Sequence, residues 1–357
     1  MKSFKCSVAE RRHRIEMKAA VYYSQREIRI EDIPVPEISH GEALVEMKAC
    51  GVCGSDLMSW YLENRAPLVL GHEPSGVIVE IGSGVEAFNV GDKVFVHHHV
   101  ACLKCYYCMR GDYTLCEQFH ETKIVPGGFA QYFKVPAPNL MLDTLKIPES
   151  MSFEEATLIE PVGCCLRALK KCKIQKGEAV AIVGAGTTGI IHVALSKIFG
   201  AEKTIVSDLI DFRLKVAEKF GADVVVNPEN ADLTEVVMAE TSGRGVDLAI
   251  VTAPSLEAYK AGLNICRKGG KLCVFAPTDP GNYLEISPKQ LFFSELQIIP
   301  SYSTSHVETR EALELIKSGK INVKELITHR FTLDDTAQAF KTALEDKESL
   351  KVVVFNR

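Results

Sequence analysis

The sequence predicts an α/β chain: a doubly wound parallel sheet joined to a discontinuous, mostly β, barrel-like domain that carries a cysteine-rich lobe. Three observations predict it. Between Glu178 and Phe275 short apolar runs alternate with helical stretches, the pattern of a parallel sheet with crossover helices. From Met17 to about Leu145 many short β-prone runs are separated by turn residues, as in a compact β domain. Cys102, Cys105 and Cys108, closed by Cys116 after seven intervening residues, have a spacing that lets four thiolates wrap one ion.

Composition narrows the function. A chain of 357 residues is long enough for two domains, and 46% apolar with 24% charged residues is ordinary for a soluble protein. A net charge of −5 gives no reason to expect nucleic acid or an anionic membrane as partner. No apolar run approaches the roughly 20 residues that span a bilayer. Twelve cysteines without a secretory signal point to a reducing compartment, so a cytoplasmic location is expected. Residues 1–16 are basic and lack an apolar core; they read as an extension ahead of Met17, whose MKAAVYY opens like a first strand.

In the first half, Ala19–Tyr22, Glu27–Ile30, Leu44–Met47 and Gly76–Ile81 are strand candidates. Among them lies Cys50-Gly-Val-Cys53-Gly-Ser55-Asp56, and Gly71-His72-Glu73 follows, with His72 nineteen residues after Cys53. Cysteine and histidine are zinc ligands, and the carboxylate is either a third ligand or a support behind the histidine. This pattern predicts a catalytic metal. Cys50 and Cys53 also form a Cys-x-x-Cys, but not in the βαβ setting a redox pair needs. For the four-cysteine lobe, structural zinc is preferred over an iron–sulfur cluster or two disulfides because the second metal motif lies just upstream.

Cys53-Gly-Ser-Asp, Gly71-His-Glu, Gly91-Asp-Lys-Val and the four-cysteine lobe resemble the zinc-dependent medium-chain dehydrogenases, the family of alcohol, sorbitol and threonine dehydrogenases. The resemblance covers about residues 17–357. It implies a GroES-like catalytic domain over 17–167 and 305–357 and a Rossmann domain over 168–304. It also implies one catalytic and one structural zinc per chain and a homo-oligomer, dimer or tetramer. In the sorbitol and threonine branches an acid before proline sits at the catalytic zinc, and that role falls on Glu160, before Pro161; Cys164 and Cys165 are the competing ligands. Ser55 stands where the family keeps a hydroxyl that takes the substrate proton. Met58 replaces a histidine that passes the proton on in the alcohol dehydrogenase branch. A pocket position that is often aromatic in the family falls on His98, within His97-His98-His99; strand geometry puts His97 and His99 on one face and His98 on the other, against one shared ion. Trp60, Tyr61 and Phe119 are further pocket candidates.

The second half opens with a buried strand over Glu178–Val183, then Gly184-Ala-Gly186-Thr-Thr188-Gly189 and a helix from Ile190 to Phe199. A second strand, Lys203–Asp208, ends in an acid nineteen residues past Gly189. That is a dinucleotide-binding fingerprint, with the glycines admitting a pyrophosphate and the acid bonding a ribose. Asp208 favours NAD over NADP, while Arg213 could stack on the adenine or recruit a phosphate. Phe275, Ser301 and Ser303 are further candidate cofactor contacts. Helices over Phe212–Phe220, Leu233–Thr241 and Leu256–Ile265 alternate with strands over Asp223–Val226, Val246–Val251 and Lys271–Phe275. A last strand is expected near Leu296–Pro300, a helix at Val307–Lys317, and Lys351–Phe355 as a strand returning to the first domain. The expected activity is oxidation of a secondary alcohol, polyol or related small hydroxy compound. The alternatives are an NADPH-dependent carbonyl reductase of the same fold and a non-catalytic nucleotide-binding regulator.

Overall fold

The computed structural model describes residues 16–356, so the extension expected over residues 1–16 lies outside it except for its last residue. The chain divides into two compact units, one running up to Glu160 and resuming at Val323, the other Pro161–Asn322. The boundaries expected at 167/168 and 304/305 fall instead inside the continuous helix Ile159–Lys171 and after the helix His306–Lys317. Both shifts have one cause. Lys170 pairs with Glu311 at 2.6 Å and a side chain on Gly163 would collide with Thr304 Oγ1, so these helices pack on each other within the second unit.

The first unit begins with β1 (Glu16–Ser24), β2 (Glu27–Pro34), β3 (Ala43–Gly51), β4 (Leu68–Val69), β5 (Glu73–Ile81), β6 (Lys93–Val96), β7 (Tyr132–Val135) and β8 (Thr144–Lys146). β1 lies between β2 and β4 in a three-stranded sheet. The mid-section of β3 alternates, with Val45 and Met47 fully buried and Glu46 and Lys48 turned outward and ion-paired at 2.6 Å. The three histidines, expected on a strand, follow the end of β6 at Val96 instead.

The second unit contains β9 (Ala179–Val183), β10 (Lys203–Ser207), β11 (Val224–Val226), β12 (Val246–Val251), β13 (Cys266–Val274) and β14 (Gln297–Pro300), in the order β11-β10-β9-β12-β13-β14. Every pairing is parallel. β9 and β12 are buried along their whole length, because crossover helices cover both faces of such a sheet. The strand order reverses between β9 and β12, and the carboxyl ends of those strands are where such sheets bind ligands.

The chain then returns to the first unit with β15 (Ile327–Thr332) and β16 (Lys351–Phe355). β16 pairs antiparallel with β3, Val354 opposite Cys50, and completes the order β15-β16-β3-β5-β6-β8 with β7 beside β3. The core of this unit gathers Val45, Met47, Ile78, Val94, Phe129, Phe133 and Val354. Among the described residues, no helix is long and apolar enough to cross a membrane.

Candidate functional site

β3 ends at Gly51 and β5 begins at Glu73, so two antiparallel neighbours bring Cys53 and His72 together. Gly71 makes this possible. It lies at φ +94°, and a side chain there would strike the Phe129 backbone and Cys50 Sγ. Donor atoms of Cys53, His72 and Glu73 all lie within 4.8 Å of one another. Asp56 is 3% exposed and anchors both ends of the cluster, with Oδ2 accepting from the Cys53 backbone at 3.0 Å and Oδ1 lying 3.3 Å from His72 Nδ1. Holding Nδ1 turns Nε2 toward the cluster, the support metal-binding histidines need. Ser55 Oγ lies 3.4 Å from that Nε2.

Charge around the cluster is unusual. Burial opposes a charge on His72, yet Asp56 and the Cys53 sulfur outweigh it and hold the pKa well above the imidazole range. Glu73 is fully buried and ion-paired with Lys351, itself 3% exposed, whose Nζ also donates to the Val52 carbonyl at 3.1 Å. Burial raises the Glu73 pKa; Lys351 opposes that rise and the buried Glu160 adds to it. Lys351 stays charged, because Glu73, the Cys53 sulfur and Glu160 outweigh its own burial. Cys53, His72 and Glu73 offer a sulfur, an imidazole nitrogen and a carboxylate oxygen, and this donor set fits a divalent cation.

Glu160 is close enough to act on Glu73 and Lys351 but is not one of the three clustered donors. Neither competing cysteine is among those donors, and Cys165 donates instead to the Thr188 carbonyl at 3.5 Å. The His98 ring sits 4.9 Å from the His72 ring, centroid to centroid, so His98 does border the cluster. Burial first, then His99, His72 and His97 beside it, hold its pKa well below the imidazole range and keep it neutral. His97 faces away. Its Nδ1 lies 2.7 Å from Asp143 Oδ2, both residues fully buried. Phe119, a pocket candidate by sequence, belongs instead to the core of the cysteine lobe with Ala101, Cys108 and Cys116. Tyr61 is exposed beneath Arg65, and Trp60 meets it edge-on at 5.8 Å.

In the lobe, Cys102, Cys105, Cys108 and Cys116 offer sulfurs within 4.8 Å of one another. The Cys105–Cys108 and Cys102–Cys108 sulfurs are 3.5 and 3.9 Å apart. A tetrahedron with Zn–S bonds of about 2.3 Å puts its sulfurs about 3.8 Å apart, whereas a disulfide needs about 2.05 Å. The four thiols therefore fit one ion. The backbone amides of Lys104 and Cys105 help lower the Cys102 pKa to about 6, while burial pushes Cys108 up to about 12.

The second unit holds the glycine turn. Gly184 has φ +105°, and a side chain there would meet Thr252 Oγ1 and the Ala253 backbone. A side chain on Gly189 would collide with the Gly184 carbonyl, but one on Gly186 would meet nothing within 4 Å. The turn is thus closed behind and open in front, as a pyrophosphate requires. The helix Thr187–Ile198 begins at Gly186 without a side-chain cap, whereas Asp232 and Ser255 cap the helices Leu233–Glu240 and Leu256–Ile265. Its first N–H groups stay available to an anion. Asp208 takes the Ala185 amide on Oδ2 at 2.6 Å and the Ile210 amide on Oδ1 at 2.9 Å, so its carboxylate is fixed beside the turn. Arg213 is half-buried in the first turn of the next helix, Asp211–Lys219. Phe275 meets His192 edge-on at 4.7 Å, the Ser301 amide donates to the Val274 carbonyl at 3.0 Å, and Ser303 has φ +58°.

Sequence reasoning missed Lys351 and Asp143. The signal for Lys351 was a lone charge opening the otherwise apolar strand Lys-Val-Val-Val-Phe, since a cation on a fully buried strand needs a partner. Nothing in the sequence pairs Asp143 with His97.

Comparison with known proteins agrees with this geometry. Residues 39–149 match the alcohol dehydrogenase GroES-like domain, and residues 187–318 match the zinc-binding dehydrogenase family. Over 349 residues the chain is 38% identical to the sorbitol dehydrogenase of Bacillus subtilis strain 168, spanning 95% of this chain and 97% of that protein. The structure of 2R,3R-butanediol dehydrogenase from Bacillus subtilis is similar with a TM-score of 0.84 and 28% identity, over 96% of this chain and all 100% of that one. A structure described as a zinc-binding dehydrogenase from Sinorhizobium meliloti 1021 bound to NADP is similar with a TM-score of 0.86 and 28% identity, over 96% of this chain and 100% of that one.

Proposed function

The chain belongs to the zinc-dependent medium-chain dehydrogenases, oxidoreductases acting on CH–OH groups, and we propose that its substrate is a polyol or vicinal diol, oxidised at a secondary carbon with NAD as acceptor. The observation that carries this reading is the cluster of Cys53, His72 and Glu73 with Ser55 and the neutral His98 both beside His72. Two zinc ions per chain are expected, one at this cluster and one in the lobe. Zinc bound at the cluster supplies a Lewis acid that lowers the pKa of a carbinol hydroxyl, and NAD supplies the hydride acceptor.

The chain's own residues do the rest. Asp56 orients His72 and the Cys53 backbone together, so the donors need no rearrangement to bind a cation. Ser55 Oγ takes up the proton of the substrate hydroxyl. Met58 cannot receive it, which leaves the carboxylates of Glu73 and Glu160, or water, as its onward acceptors. His98 presents a neutral imidazole, able to donate or accept one hydrogen bond with a second substrate hydroxyl. Asp208 bonds ribose hydroxyls and repels a phosphate in their place, which supports NAD; the nearby Arg213 makes NADP the comparison to run. Phe275, Ser301 and Ser303 are the remaining proposed cofactor contacts. Both metal clusters depend on reduced thiols, which supports a cytoplasmic setting.

The test is a screen of 1,2-diols, sugar alcohols and plain secondary alcohols with NAD and with NADP, following reduced nicotinamide absorbance, with zinc measured in parallel. Cys53→Ser should abolish turnover and drop zinc from about two ions per chain to about one. Retained activity, or loss of both ions, would refute the assignment.

A further inference from the structure

His98 lies in a run of neighbouring, mutually tilted rings that begins in the cysteine lobe and continues to His72. Phe119 is 1% exposed and packs with Cys108 and Cys116, two of the four clustered thiols. Its ring lies 5.1 Å from that of His99 and 6.0 Å from that of His97, centroid to centroid. The His99 ring lies 3.9 Å from His98, and His98 lies 4.9 Å from His72.

The backbone of the same segment is clamped from the other side. Asn139, fully buried, donates from Nδ2 to the carbonyls of both His97 and His98, at 3.0 and 2.9 Å. Asp143 receives the His97 ring at 2.7 Å, and its carbonyl accepts the His97 amide at 3.1 Å. Thr122, one residue past the helix Glu117–Glu121 that carries Phe119, accepts His99 Nδ1 on its carbonyl at 2.5 Å and the Val100 amide on Oγ1 at 3.0 Å. These bonds hold the backbone of the segment and the rings of His97 and His99, whereas His98 Nδ1 is buried and has no partner among the described residues. A buried ring nitrogen left without a partner is costly, and a substrate hydroxyl would satisfy it.

We propose that the cysteine lobe sets substrate selectivity: it seats Phe119, the ring stack and the Asn139 clamp fix His98, and His98 Nδ1 grips a second hydroxyl of the substrate. This rests on the dehydrogenase reading above. His98 is the specificity-determining residue. Phe119, His99 and Asn139 are positioning residues that act through it. The coupling works because packed rings transmit a displacement instead of absorbing it. Only Val100 and Ala101 separate His99 from Cys102 in the sequence, so the histidines and the lobe adjoin.

The experiment uses the full-length, zinc-loaded protein with a vicinal diol and the corresponding monoalcohol. Phe119→Leu keeps an apolar side chain in the lobe but removes the ring, and His98→Phe removes the hydrogen bond. Each should lower the diol-to-monoalcohol ratio of kcat/KM about tenfold, carried by the KM for the diol, with two zinc ions per chain retained. The double variant should lose no more than His98→Phe alone, since Phe119 acts only through His98. Calorimetric binding of the diol without dinucleotide should weaken in parallel. If Phe119→Leu loses the lobe zinc, His99→Leu breaks the same stack outside the lobe core and should give the same ratio. Multiplicative losses in the double variant, or an unchanged ratio with both zinc ions in place, would overturn the proposal. No turnover of any alcohol by the unaltered protein would remove the dehydrogenase reading along with it, whereas turnover with multiplicative losses removes this proposal alone.

Discussion

Glu73 and Lys351 show what one residue pair contributes to the site. Both are buried, and each keeps the other's charge from being left alone in a region of low dielectric. Removing one member of such a pair costs about 3–5 kcal/mol, because the survivor stays buried and uncompensated. Lys351→Met should therefore destabilise the chelator-treated protein strongly in denaturant unfolding. It should cost less in the zinc-loaded protein, where the cation faces the same carboxylate; equal losses in both forms would show that Glu73 does not share the metal's field. Cys53, His72 and Glu73 were legible in the sequence because reactive residue types crowd into two short motifs. Lys351 was not, because its partner is set by strand pairing across nearly 300 residues and its own neighbours are plain apolar strand.

At the scale of the element, the helix Thr187–Ile198 leaves its first turn without a side-chain cap and buries most of its length in the core. His192 lies within it, fully buried; Nδ1 bonds the Thr188 carbonyl at 2.8 Å and the ring meets Phe275. Burial lowers its pKa from 6.5 to about 4 against the opposing pull of that hydrogen bond. Between those two values the unfolded chain binds a proton that the folded chain refuses, so stability rises with pH across this window and is lost on acidification. At 1.36 kcal/mol per pH unit the loss from pH 6.5 to 4 amounts to about 3 kcal/mol. His192→Leu should flatten this part of the denaturant-midpoint profile, and a profile unchanged by the substitution would exclude His192 as its source. The alternating strands and helices here were legible because each strand is a short apolar run with a turn residue beside it. In the first unit β15 and the helix Thr336–Glu345 were not, since Ile-Thr-His-Arg-Phe-Thr mixes apolar and polar residues at neither period clearly. The histidine segment resisted for another reason: an apparent strand ended one residue before it, and packing against Phe119 fixed its shape.

At the scale of the whole molecule, the second unit's sheet ends in an open edge. Among the described residues β14 pairs only with β13, Ile298 on it is 36% exposed, and the adjoining helix Pro288–Ser294 leaves Phe292 and Phe293 77% and 72% exposed. An uncovered edge beside exposed aromatics invites pairing with another chain. A second copy of this chain, pairing β14 with β14, is the expected occupant and accounts for the proposed homo-oligomer. Light scattering on the purified protein should give a dimer or a multiple of it, and Ile298→Glu with Phe292→Ser should shift the mass toward one chain. An unaltered monomeric mass would remove this assignment.

The return of β16 to β3 has a consequence for biosynthesis. The parallel-sheet unit is encoded inside the other one, so a ribosome finishes Pro161–Asn322 while the first unit still lacks β15 and β16. Domains tend to fold as they emerge. Until Lys351 leaves the exit tunnel, the Glu73 carboxylate lacks the ammonium that pairs with it in the finished fold, and a nascent chain that captures zinc early gains part of the charge balance that its final strand later provides.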